Sequence, residues 1–183
     1  SVVLTQYKNI IFNSIINNPE EVSIAINPRH PNNLVAGANI NNYYYSFDGG
    51  ITWVNKEISD SKNGVWGDPV LIFDNNGAAY FFHLSRPSNS QWIDRIVCQK
   101  STDGGMTWNQ PVELTTSSNG GTIEMIDSQV GYASVAYSLF KTDDGGNCWD
   151  RHKKYGDDGG FADKFSFPAP GVGFYGSGFP SSI

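Results

Sequence analysis

One eight-residue pattern occurs three times and limits the fold more than any other feature of the chain. SFDGGITW at 46–53 returns as STDGGMTW at 101–108, and a looser copy, TDDGGNCW, runs from 142 to 149 with Thr142 in its first position and Cys148 in its seventh. Each copy carries a short carboxylate (Asp48, Asp103, Asp144) able to accept hydrogen bonds from backbone amides two or three residues ahead. The following Gly-Gly pair, which includes Gly50, Gly105 and Gly146, supplies the positive φ angles of a tight hairpin turn. A Trp (Trp53, Trp108, Trp149) then opens the next segment and is expected to pack inward. The octets read as structural turns between strands, and their aspartates as poor candidates for acid–base work.

Short strand-like runs flank every octet. Before the first lie 21–26, a turn at 27–33, then 34–38 and 42–47, and after it 53–58. The second unit reads 69–73, a turn at 74–77, 78–84, 95–101 and, past the octet, 108–114. The third reads 122–126, 131–137, 138–142 and 149–154, and a fourth begins with 161–167 and 172–176. Four strands with a hairpin octet between the third and fourth make the four-stranded antiparallel blade of a β-propeller, so the expected class is all-β. Aromatic residues at 14% provide apolar mass for packed sheets, and 20 Gly and 9 Pro spread along the chain mark many turns.

The expected blades cover about 20–58, 68–114, 121–154 and an incomplete 161–183, with 1–12 as a last strand of a preceding blade. Asp48 and Asp103 stand 55 residues apart and Asp103 and Asp144 stand 41 apart; most of the excess lies in 85–94. Setting Gly173 against Gly131, an offset of 42, puts the next octet aspartate at about position 186, beyond Ile183. About three and a half blades cannot close a ring that needs roughly four to eight. The expectation is an incomplete propeller, finished by a missing segment or by another chain.

The octets resemble the Asp-box, or bacterial neuraminidase repeat, Ser-x-Asp-x-Gly-x-Thr-Trp. Two copies fit it fully, and the third departs at Thr142 and Cys148. The resemblance implies a propeller of the sialidase-like superfamily, a class that also includes other glycosidases, sorting-receptor ectodomains, photosystem assembly factors and lectin-like proteins. It further implies that ligands bind on the face formed by loops between blades and by loops joining second to third strands, away from the octets. For function it implies a carbohydrate-active protein, sialidase-like or glycosidase-like, that is secreted, cell-surface or periplasmic. The alternative is a non-catalytic propeller that binds protein or glycan as a scaffold.

Charge and composition remove other classes. A net charge of -6 and a pI near 4.9 with scattered Lys and Arg argue against a nucleic-acid partner. No apolar run approaches the roughly 20 residues of a membrane-spanning helix. Cys98 and Cys148 fall in different expected blades and read as two small buried side chains, with a disulfide between them as the alternative. His30, His83 and His152 show no metal spacing, and the runs at 74–77 and 157–160 lack the twelve-residue calcium pattern, so neither metal nor cofactor is expected.

The loops of the expected binding face are 59–68, 115–121 and 155–163 between blades, with 39–41 and 85–94 within them. Loop 85–94 with the adjoining Arg95 is the most informative: Trp92 could stack on a sugar ring while Arg86 or Arg95 grips a carboxylate, which would suit an acidic glycan. Otherwise it is a surface loop whose Trp packs on its own blade. Trp66 and Asp68 form a second candidate, with Asp68 alternatively capping the turn before Pro69. A glycosidase needs two carboxylates roughly 5 to 10 Å apart, and Glu21, Asp68, Glu124 and Asp163 all fall near inner strands. Sialidases use three Arg, a Tyr-Glu pair and an acid Asp. With only Arg29, Arg86, Arg95 and Arg151, this chain is not expected to hold that complete set.

Overall fold

The computed structural model of the protein describes residues 10, 19–60, 62–87, 89–115, 122–135, 138–154, 161–169 and 172–178. The strand expected within 1–12 falls outside the described residues apart from Ile10, as do most of 115–121 and 155–160. All regular structure among the described residues is β. The first sheet holds β1 (Ser23–Ile26), β2 (Leu34–Ala38), β3 (Asn42–Ser46) and β4 (Val54–Glu57). The second holds β5 (Val70–Phe73), β6 (Ala79–Ser85), β7 (Arg95–Ser101) and β8 (Val112–Thr115), and the third β9 (Ile123–Met125), β10 (Gly131–Val135), β11 (Ser138–Thr142) and β12 (Asp150–Lys154). A hairpin of β13 (Phe161–Ala169) and β14 (Val172–Gly178) follows. Each four-stranded sheet is an antiparallel meander in chain order, with an octet turning its third strand into its fourth.

The octets are built on one hydrogen-bond scheme. Ser46 Oγ donates to Asp48 (2.8 Å) and accepts from the Gly50 amide (2.9 Å), while Asp48 accepts from the Thr52 amide at 2.9 Å and from its hydroxyl. The carboxylate thus reaches an amide four residues ahead, farther than turn chemistry alone predicts, because the serine hydroxyl occupies the nearer amides. Ser101, Asp103 and Thr107 repeat the scheme. In the third copy Thr142 takes the serine's part and the Cys148 amide still bonds Asp144 at 2.9 Å; the hydroxyl bond is what the cysteine gives up.

The bonds from Thr52, then from Ser46, push the Asp48 carboxyl down to about 2. Partial burial opposes the same effect at Asp103 and Asp144, yet bonds from Thr107 and Ser101, and from Cys148 and Thr142, still hold both below the ordinary range. All three stay ionised and committed to their turns.

The sheets pack face to face, and β6 shows why. Successive strand residues point to opposite faces. Phe81 enters the seam with the first sheet and Phe82 the seam with the third, so this strand is apolar on both sides. Each buried Phe contributes about 1.5–3 kcal/mol.

The first seam holds Val35, Tyr43, Leu71 and Phe81, capped by Trp108, whose ring meets Tyr43 edge-on at 5.9 Å and Phe81 at 5.6 Å. It leaves no slack: a Cβ on Gly37 would come within 2.7 Å of Leu71 Cδ1. Trp149 packs likewise in the second seam, against Phe82 at 6.3 Å. Side chains also latch neighbouring octets, Asn33 to the Gly104 carbonyl and Lys100 to the Gly145 carbonyl, both at 2.9 Å.

The cysteines differ from expectation. Cys98 is buried in the second seam, but Cys148 is exposed, because the seventh octet position faces solvent, as Thr52 and Thr107 do there. Both thiols are free.

Candidate ligand-binding face

The meander fixes which loops share an end. A first strand starts where the second-to-third-strand loop turns, and the octets lie at the opposite end. Glu21 before β1, Asn39 in the loop after β2, residues 66–68 before β5 and loop 86–94 after β6 therefore gather on one face.

At its centre, Asn39 joins the Glu21 carboxylate to the backbone of Asp68, from adjacent sheets. Its Nδ2 donates to Glu21 Oε2, its Oδ1 accepts from the Asp68 amide at 2.9 Å, and its own amide donates to the Glu20 carbonyl at 2.8 Å. Glu21 and Asp68 have φ of 52° and 50°, the left-handed region that few non-glycine residues adopt. Such backbones cost about 1–3 kcal/mol and concentrate at functional sites. The two carboxyls lie close enough to influence each other's ionisation. Glu21, followed by burial, raises Asp68 above the ordinary carboxyl range, while Asp68 and then the Asn39 amide lower Glu21. Chemically this is a clamp for hydroxyl groups, offering two carboxyl groups and an amide within one small patch.

Trp66 and Arg86 stand beside it. The Arg86 guanidinium lies over the Trp66 ring at 4.2 Å and donates to the Ser90 carbonyl at 2.8 Å, pinning loop 86–94. Trp66 is tied to β6 through its amide, which donates to the Leu84 carbonyl at 3.0 Å. Ser90 bonds both the amide and the carbonyl of Trp92, holding that indole out in solvent at 81% exposure. Trp92 therefore does not pack on its own blade.

Arg95 is placed differently from the expected carboxylate grip. It already pairs with Asp94 at 2.8 Å and Glu113 at 2.6 Å, with its side chain only 13% exposed. A register shift between Ile96 and Val97 sets Glu113 opposite Val97, diagonal to Arg95 on the same face.

The other candidates lie apart. Glu124 alternates with Ile123 and Met125, which enter the second seam, so it points to the far side of its sheet. Asp163 lies in β13 and its side chain is outside the described residues. Arg29 bonds the turn at Asn75 and Asn76, and Arg151 lies over Phe140 at 6.0 Å. The four arginines thus have separate surroundings and do not converge. Sequence reasoning placed loop 39–41 on this face but not Asn39 as its organiser; Gly67 was a usable signal, since a Cβ there would strike the Asn39 amide.

No protein-family model matches the chain, and no curated protein matches it. Solved structures do. The structure titled "YCF48 bound to D1 peptide" aligns with a TM-score of 0.59 at 15% identity, covering 85% of this chain and 46% of that one. The Niastella koreensis GH74 enzyme aligns at 0.54 and 21% identity over 79% of this chain and 24% of its own, and the Hadza microbial sialidase Hz136 at 0.54 and 15% over 74% and 33%. The fold is a β-propeller. The chain spans less than half the length of each of these three. Its four-stranded sheets are blades, hereafter numbered 1 to 3, and at these identities the likeness concerns the fold alone.

Proposed function

We propose that this face binds a glycan, and that the chain is part of a carbohydrate-binding propeller that is secreted, cell-surface or periplasmic, its octets being Asp-boxes. The observation that carries the reading is the strip of loops that brings the Glu21–Asn39–Asp68 clamp, the Trp66–Arg86 stack and the exposed Trp92 to one end of the blades. Polar groups matched to hydroxyls beside flat aromatic rings are what sugar recognition requires.

Binding is favoured over hydrolysis by the clamp itself. Glu21 and Asp68 influence each other as groups in direct contact do, whereas carboxyls flanking a glycosidic bond are separated by about 5–5.5 Å or 6.5–9.5 Å. Hydrolysis by a larger protein would need a further carboxylate facing this strip. Of the four arginines, Arg86 is the one placed to read an acidic sugar.

Isothermal titration of a panel of neutral and acidic oligosaccharides tests the reading, with Asp68→Asn and Trp92→Ala alongside. Loss of one ring stack should weaken binding about 3–10-fold. An absence of binding across the panel, or affinities untouched by both substitutions, would refute it. A peptide ligand is the second reading, supported by the likeness to the propeller YCF48 bound to a peptide.

A further inference from the structure

The seam between blades 2 and 3 is more open than that between blades 1 and 2, and two repeat positions explain it. Phe81 stands two residues past Ala79, the cross-strand partner of the octet's Ser101. In blade 3 the equivalent residue, two past Gly131, the partner of Thr142, is Ala133. Phe81 fills the first seam so closely that a Cβ on Gly37 would lie 3.0 Å from its ring. Ala133 fills far less of the second, and a cavity of about 360 Å³ remains.

Its walls are mostly apolar, formed chiefly by Phe82, Leu84, Ile96, Leu114, Ile123 and Val135, with Thr122 and Ser134 as further polar lining. His83 also lines it, but both ring nitrogens are engaged, with the Leu84 carbonyl at 2.9 Å and Gln99 Oε1 at 3.2 Å. The exposed lining carboxyl is that of Asp68, so the cavity borders the clamp. Its volume falls in the range of small-molecule sites, roughly 300–1,000 Å³, and apolar cavities take up apolar rings readily.

We infer that this cavity is a binding site for a ring-sized apolar group, aryl or cycloalkyl, bearing one hydroxyl donor directed at Asp68. Such a group could arrive as a free phenol-like molecule or as the aglycone of a glycoside whose sugar lies on the strip. Only the second source rests on the glycan reading.

The probe is 4-methylphenol, titrated into the intact chain and followed by methyl NMR. Saturable shifts confined to Ala133, Ile123 and Val135 are expected, with toluene binding more weakly. Ala133→Phe, which restores the residue of blade 2, should reduce binding at least about tenfold. If that variant fails to fold, Ala133→Leu gives a smaller loss in the same direction. Competition between 4-methylphenol and a 4-methylphenyl glycoside, absent with the methyl glycoside, identifies the aglycone source; no competition identifies the free molecule. Methylphenol binding without any glycoside binding removes the glycan reading and leaves the cavity site standing. No saturable shift at the cavity methyls, or binding that survives in both Ala133 variants, overturns the inference.

Discussion

Gly50 and Gly105 occupy the same octet position but face different surroundings, which separates two costs of replacing them. Their φ angles are 85° and 95°, so an alanine at either meets a similar backbone penalty, about 1–2 kcal/mol. A Cβ on Gly50 meets nothing closer than the Trp53 ring at 3.5 Å, an ordinary contact. On Gly105 it would stand 2.5 Å from Val35 Cγ1, in the core of the neighbouring blade, where Val35 is fully buried. Overpacking of this kind costs a further 1–3 kcal/mol or so. The unfolded-state gain from glycine removal is common to both and cancels.

Gly50→Ala should therefore destabilise by about 1–2 kcal/mol and Gly105→Ala by about 2–5 kcal/mol. For a chain of this size each kcal/mol lowers Tm by roughly 2–4 °C, so thermal unfolding followed by circular dichroism should place Gly105→Ala several degrees below Gly50→Ala. Equal shifts would refute the claim that the second octet braces the first blade.

Other expectations concern charge and thiols. The octet carboxylates contribute stability above their ordinary pKa of 3.8 that is lost as pH falls, for Asp48 through about 2; acid unfolding should steepen below pH 3.8, and Asp48→Asn should flatten that slope. Cys148→Thr restores the missing hydroxyl bond and should stabilise by about 0.5–1 kcal/mol; an unchanged or lowered Tm contradicts the equivalence of the three octets. A thiol reagent should label Cys148 in the folded protein, whereas Cys98, whose thiol burial pushes well up in pKa, should react only on unfolding. Arg95→Met should loosen loop 86–94, seen as faster proteolysis there, without the loss of glycan affinity expected of Trp92→Ala.

The fold was legible because the octets encode it locally. A carboxylate, a hydroxyl and two glycines within eight residues determine the hairpin, and alternation in runs such as AYFF reveals a sheet buried on both faces. The site was legible only in part. Its loops follow from the meander, which is topology, but the Glu21–Asp68 contact depends on Asn39 bridging two sheets, and nothing in local spacing encodes that. The engagement of Arg95 depends on a bulge in β7–β8 pairing, equally invisible in the residue pattern. Cys148 was misplaced for a simpler reason: a small apolar residue suggests burial, but the octet's seventh position points outward whatever occupies it.

The five indole N–H signals in a proton–nitrogen NMR spectrum separate the strip from the structural turns in one titration. If a glycan binds where the clamp and the Trp66–Arg86 stack lie, the Trp66 and Trp92 indoles should shift together and saturably, while those of Trp53, Trp108 and Trp149 stay in place. Shifts confined to the octet tryptophans, or no shift with any oligosaccharide at millimolar concentration, would contradict a glycan-binding face at this end of the blades.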